Sequence, residues 1–182
     1  GTGQGWITAE YSMMPGSTNS RVSRNNTNSG RSKEIQRLIG RSLRAVVDLN
    51  QIGENSLLVD CDVLNADGGT RTASIIGSVI ALRNSITKLQ SSNVLTNNIN
   101  FNLIAAISVG IVNNEIILDL NYEEDFQASV DFNFVMDDMG NIIEVQGTGE
   151  SGTFSKTQLI EATEMAESAI KDIISIQKEY FD

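Results

Sequence analysis

The sequence predicts an α/β fold in which mixed sheets pack against helices, and three observations carry that reading. Residues 32–49 repeat apolar positions with the 3.6-residue period of a helix. Short apolar or alternating runs of strand length recur at 6–14, 56–63 and from 103 onward, and a glycine-rich turn at 65–72 joins a strand to a helix. With 182 residues, 40% of them apolar and a single proline, the chain has material for one compact domain with a sizeable core, spanning 1–182.

The first strand, 6–14, enters a turn at Pro15-Gly16. The polar segment from Ser17 to Gly30 holds Val22 as its one large apolar residue and reads as a flexible loop. From about 32 to 49 a helix places Ile35, Leu38, Ile39, Leu43, Val46 and Leu49 on one face and Arg37, Arg41 and Arg44 on another. The mostly apolar run 56–63 is a strand. Asn65 to Thr72 is the turn after it, and Ala73 to about Leu89 is a small-residue-rich helix. After a polar loop, Ser91 to Asn100, four strands are expected at 103–112, 115–122, 129–136 and 142–147, with Asn113-Asn114 as a hairpin turn. Ser155 can cap a last helix reaching about Tyr180, with Leu159, Ile160, Ala166, Ile170, Ile173 and Ile174 as packing positions.

Composition narrows the chemistry. The chain has no histidine, which removes Ser-His-Asp and Cys-His catalysis and every zinc site built on imidazole, so a metal would have to be held by oxygen. A formal net charge of −10 argues against indiscriminate polyanion binding, yet nine of the thirteen basic residues precede Lys88 and carboxylates accumulate after Glu115. One half could therefore serve an anion and the other a cation. No run approaches the ~20 consecutive apolar residues of a membrane helix, the first residues lack the features of a signal peptide, and Cys61 has no partner for an intrachain disulfide; the expected compartment is the cytoplasm.

Two clusters could carry chemistry. Gly68-Gly69-Thr70-Arg71 lies where a helix begins. There unpaired N–H groups and the helix dipole favour an anion, glycine permits close approach, and arginine adds a two-pronged charged donor. Arg31 stands at a comparable helix entrance. The plain alternative is that the glycines only allow a left-handed turn while Arg71 meets solvent or Asp67. In the acidic half, a short connection could bring Asp125 and Asp131 together as a Mg²⁺ site, although acidic loops are commonly just solvated surface. Asp60 and Asp62 share one strand face, and Asp119 has the same ambiguity between exposure and pairing. The arginine stripe could track RNA or make ion pairs between subunits and suits ion pairing better, Cys61 suits a small core position, and Trp6 suits packing better than stacking on a base.

The blocks gain meaning together. Gly5 to Tyr11, Glu34 to Arg41, Asp60 to Val63, Ala66 to Ile75, Ala105 to Gly110, Asp119 to Asp125 and Ile143 to Glu150 resemble ribonuclease PH in the same order and cover nearly the whole chain. The resemblance implies a ribonuclease PH fold, an α/β sandwich related to a ribosomal-protein-like βαβ unit, assembled as a ring-shaped hexamer, a trimer of dimers. It implies phosphorolytic trimming of the 3′ end of precursor tRNA and other RNA 3′ ends. By position, Arg31, Gly69, Thr70 and Arg71 match the family's phosphate ligands, Asp125 and Asp131 its catalytic and Mg²⁺ positions, and Arg21 and Arg24 lie in the loop that contacts tRNA. Phosphate as the nucleophile suits a chain without histidine, because the protein need only position it and stabilise charge.

The chain departs from the family in three ways. It begins about fifty residues along, without the opening Asp-Gly-Arg and Leu-Arg-Pro tracts, which reads as an N-terminal truncation that would expose sheet edges and apolar surface. Gly16 stands where an arginine is usual, in a loop that is shorter and poorer in lysine. Phe126 and Phe132 follow the two aspartates, where smaller or different residues are common. A non-catalytic RNA-binding ring subunit, or an inert fragment of the enzyme, is the alternative.

Overall fold

The element order follows from where the sequence alternates and where it is capped. A computed structural model describes residues 1–181. The chain divides into two compact units, residues 1–66 with 74–102, and residues 67–73 with 103 onward.

In the first unit, β1 (Trp6–Met13) pairs in parallel with β2 (Ser56–Val63), Trp6 opposite Ser56 and Met13 opposite Val63. Its even-numbered residues point their backbone groups toward β2, as Trp6 N–H to Asn55 O and Met14 N–H to Val63 O show at the two ends. The opposite edge of β1 is bonded by side chains. Arg44 Nη1 donates to Ile7 O at 2.8 Å, Asn26 Nδ2 to Met13 O at 2.8 Å, and Gln36 Nε2 to Tyr11 O at 3.5 Å. Helix α1 (Gly30–Val46) lies on β1 through Ile35, Leu38, Ile39, Leu43 and Val46, the apolar stripe that its period announces. Burying each such side chain stabilises the unit by roughly 1.5–3 kcal/mol.

The expected continuous helix to 49 is interrupted. Val47 is extended and bridges Phe101, and Asp48 then caps a separate turn, α2 (Leu49–Ile52), by accepting from Asn50 N–H at 2.9 Å. The segment expected to be a flexible loop is also tied down in part. Ser23 caps a 3₁₀ turn over Arg24–Asn28, Ser17 is buried, and Asn26 bonds both Met13 O and Ser12 Oγ. Cys61 is half-buried and lies 3.1 Å from Ser78 Oγ; burial raises the pKa of its thiol. Trp6 remains 51% exposed with the Arg44 guanidinium 4.4 Å above its ring, so that part of the arginine stripe is structural.

In the second unit, β3 (Ile104–Val112), β4 (Glu115–Leu118), β5 (Val130–Asp137) and β6 (Ile142–Gly149) form an antiparallel sheet in the order β4-β3-β5-β6. Asn113 and Asn114 both take positive φ, as the hairpin turn between β3 and β4 demands. Helix α5 (Lys156–Phe181) packs on β3, β4 and β5, burying Ala162, Ala166, Ile170 and Ile174. Ile160, expected to pack, is 48% exposed because the buried seam runs through Ala162 instead.

The strand expected over 115–122 stops at Leu118. Asp119 turns to φ +54°, and Asn121 caps a short helix, α4 (Tyr122–Gln127), in a reciprocal box with Glu124. Helix α3 (Thr70–Ser91) begins in this unit, its first turn belonging with 67–73. Among the described residues no helix is long and apolar enough to cross a membrane.

Candidate active site

Strand alternation builds the site. Register pairs Ser108 with Asn133 and Gly110 with Asp131, then Asn133 with Gln146 and Asp131 with Thr148, so these residues share one sheet face. The residues between them, Ile107, Val109, Phe132 and Phe134, form the other face, where Phe154 at the entrance to α5 meets Phe132 edge-on at 4.7 Å.

The first turn of α3 completes the polar face. A Cβ at Gly68 would lie 1.8 Å from Leu120 O, so no other residue fits there, and Gly69 holds φ +67°. The space beside Gly69 is lined by Thr72 Oγ1, Asp119 Oδ1 and Ser108 Oγ, 3.2, 3.6 and 3.7 Å from where its Cβ would stand. Ser108 is buried and its hydroxyl has no hydrogen-bond partner. Asp67 is not directed to Arg71 by the turn: its Oδ1 accepts from Tyr122 N–H at 2.6 Å, tying the turn to α4. Arg71 Nη1 instead donates to Gln146 Oε1 at 3.3 Å.

Asp131 is half-buried, and Asn133 Nδ2 donates to both of its oxygens at 3.3 and 3.1 Å. Burial raises its carboxyl above the ordinary range. Arg71 pulls it back, Asp125 and Glu150 push it further up, and the Asn133 hydrogen bond lowers it. Arg71 and Asp125 thus each act on the Asp131 carboxyl, and all three residues lie in the second unit. Arg31 is an exposed residue in the first turn of α1, and Arg21 and Arg24 are exposed just before and at the start of the 3₁₀ turn; all three belong to the first unit.

The described residues contain no group of three or more His, Cys, Asp or Glu able to hold a metal. Asp125 with Asp131 still fits Mg²⁺, which is commonly bound through one or two carboxylates plus water and substrate phosphates. Phe132 is core, whereas Phe126 is 81% exposed and stacks on Tyr122 with ring centroids 6.4 Å apart.

Ser108 and Gln146 lie inside the blocks that resemble the family but carry no separate signal in the sequence, and Asn133 lies outside those blocks. The available signal for Asn133 was a lone polar residue inside an apolar strand, as in Phe132-Asn133-Phe134.

Residues 1–88 match the 3′ exoribonuclease family, domain 1, and residues 102–169 match its domain 2. The chain is 48% identical over 181 residues to "Ribonuclease PH" of Corynebacterium kroppenstedtii, an alignment covering 98% of this chain and 71% of that protein. The chain belongs to the ribonuclease PH family. Solved structures carry the ribonuclease PH comparison to the fold. Rice (Oryza sativa) Rrp46 superposes with a TM-score of 0.72 at 19% identity, covering 94% of this chain and 71% of its own. A chain of the Archaeoglobus fulgidus exosome with RNA bound to the active site superposes with a TM-score of 0.73 at 18% identity, covering 99% and 72%. The mixed α/β architecture expected from the sequence is therefore that of the family.

Proposed function

We propose that this chain is a phosphorolytic 3′→5′ exoribonuclease that trims precursor tRNA, with inorganic phosphate as the attacking group. Membership of the ribonuclease PH family supports the reading, and one observation carries it to particular residues: the first turn of α3 brings Arg71 to the polar sheet face, where it bonds Gln146 Oε1 at 3.3 Å and its charge lowers the pKa of the Asp131 carboxyl. An oxygen of inorganic phosphate attacks the phosphorus of the last phosphodiester. The bond from that phosphorus to the 3′-oxygen of the preceding nucleotide breaks and that oxygen takes up a proton. A nucleoside 5′-diphosphate leaves, and the RNA ends in a new 3′-hydroxyl.

In this reading Arg71, Gly69 and Thr70, together with Arg31, bind the inorganic phosphate. Backbone N–H groups at the start of α3 and the guanidinium fork supply positive potential where the anion must be held. Asp125 and Asp131 are the catalytic carboxylates and the residues that would hold Mg²⁺, which supplies charge neutralisation at the scissile phosphate when bound. Arg21 and Arg24 contact RNA phosphates. The chain acts as one ribonuclease PH-type domain within a hexameric ring in the cytoplasm.

Incubation with a 3′-extended tRNA, Mg²⁺ and inorganic phosphate should release nucleoside diphosphates, with turnover rising with phosphate concentration. Release of monophosphates independent of phosphate would overturn the reading. RNA binding without any phosphorolysis would favour a non-catalytic RNA-binding subunit, and undiminished phosphorolysis by Arg71→Ala would move the site elsewhere. Size-exclusion chromatography tests the hexamer.

A further inference from the structure

Within the polar face two neutral amides stand directly opposite each other, Asn133 on β5 and Gln146 on β6, paired in register. Each is bonded to one of the two charged groups on which the proposed function rests. Asn133 is buried at 6% exposure, an unusual place for an amide, and its Nδ2 reaches both Asp131 oxygens at 3.3 and 3.1 Å. Gln146 is oriented from behind, because its Nε2 donates to Glu144 Oε1 at 3.3 Å, which leaves Oε1 to accept from Arg71 Nη1 at 3.3 Å.

We infer that Asn133 and Gln146 are positioning residues, Asn133 fixing the Asp131 carboxylate and Gln146 fixing the Arg71 guanidinium. The inference rests on the phosphorolytic reading and deepens it. A carboxylate offers about four lone-pair sites, so one amide can set its plane and still leave oxygens for a cation or substrate; a guanidinium has five N–H donors, so one acceptor can aim it and leave a fork for phosphate. Neutral partners matter here. A carboxylate at position 146 would pair with Arg71 and compete with the anion, and an ammonium at 133 would pair with Asp131 and compete with a cation. The two amides therefore orient the charges without adding a charge of their own.

The test uses binding, so it does not depend on turnover. Inorganic phosphate affinity is measured by titration calorimetry and Mn²⁺ affinity by water-proton relaxation, on the 182-residue chain and its variants. Gln146→Leu should weaken phosphate roughly 5- to 20-fold and leave Mn²⁺ within about twofold. Gln146→Glu should weaken phosphate more than Gln146→Leu does, and Asn133→Leu should weaken Mn²⁺ by about tenfold while leaving phosphate within about twofold. Melting curves check folding, and Asn133→Ser, smaller and too short to span both Asp131 oxygens, replaces Asn133→Leu if that variant does not fold. A structural role alone would lower both affinities together in each variant, and that result overturns the inference. Arg71→Ala and Asp131→Asn separate the two levels. If those variants bind phosphate and Mn²⁺ normally, the site assignment itself fails. If they lose binding while Gln146→Leu and Asn133→Leu keep it, only the positioning role falls.

Discussion

The two faces of the four-stranded sheet are built by the same strands, one residue out of step. On one face Val109, Phe132 and Phe134 are fully buried on the side where Phe154 and α5 pack. On the other, Ser108, Asp131, Asn133 and Gln146 are brought together with the first turn of α3, including a buried hydroxyl without a partner and a carboxyl held above its ordinary pKa by burial. The apolar face stabilises the unit through contact area and packing. The polar face costs stability, because charge is partly desolvated there and like charges are gathered. That cost is why the proposed site is placed on this face.

Changes on the two faces should therefore separate stability from activity. The largest effect belongs to Phe132→Ala, which removes a fully buried ring and should cost roughly 3–5 kcal/mol in denaturant unfolding, with residual activity following the folded fraction. Arg71→Ala should cost far less stability than Phe132→Ala and lower kcat/KM for phosphorolysis by about 10²–10³-fold, in the range seen when a preorganised charge-stabilising donor is removed. Asp131→Asn should abolish phosphorolysis and raise the melting temperature when measured with divalent cations removed, since a half-buried charge beside Asp125 and Glu150 is gone; a fall in melting temperature would show that its bonds to Asn133 outweigh desolvation.

The smallest effect lies at the sheet's end, where Asp137 closes the turn between β5 and β6. Burial pushes its carboxyl up, but bonds from Asn141 and the N–H groups of Met139 and Gly140 outweigh that and hold it below the ordinary range. A carboxyl whose pKa is lowered by folding contributes stability above its unfolded pKa, near 4, and loses it as pH falls through the lower folded value. The melting temperature of Asp137→Asn should thus differ from the parent at neutral pH and converge with it below about pH 4, by a small amount because the group is largely in water.

Most of the elements were legible because their signals are local. The 3.6 period of α1, the apolar run of β2 and the Asn113-Asn114 turn act over a few residues and survive in the fold. The failures share a cause. Residues 115–122 carry apolar residues at strand spacing, yet Asn121 and Glu124 form a capping box that starts α4; the box is visible in the sequence and was outweighed by hydrophobic pattern. Asp48 is likewise a legible cap that cuts the predicted helix in two.

The proposed site divides in the same way. The roles proposed for Arg71, Asp125 and Asp131 come from motif order. The role of Gln146 depends on register with Asn133 across two strands, a nonlocal fact that no window of sequence contains. The partnerless hydroxyl of Ser108 depends on the α3 turn that lies beside it.

The side-chain bonds along the outer edge of β1 have a consequence for assembly. Arg44, Gln36 and Asn26 occupy the carbonyls of Ile7, Tyr11 and Met13, the acceptors an incoming strand would need. A strand joining that margin of the two-stranded sheet would first have to displace these donors, so side chains obstruct growth of the sheet there. An Arg44→Ala chain would free the Ile7 carbonyl and leave Gln36 and Asn26 as the remaining obstacles on that edge.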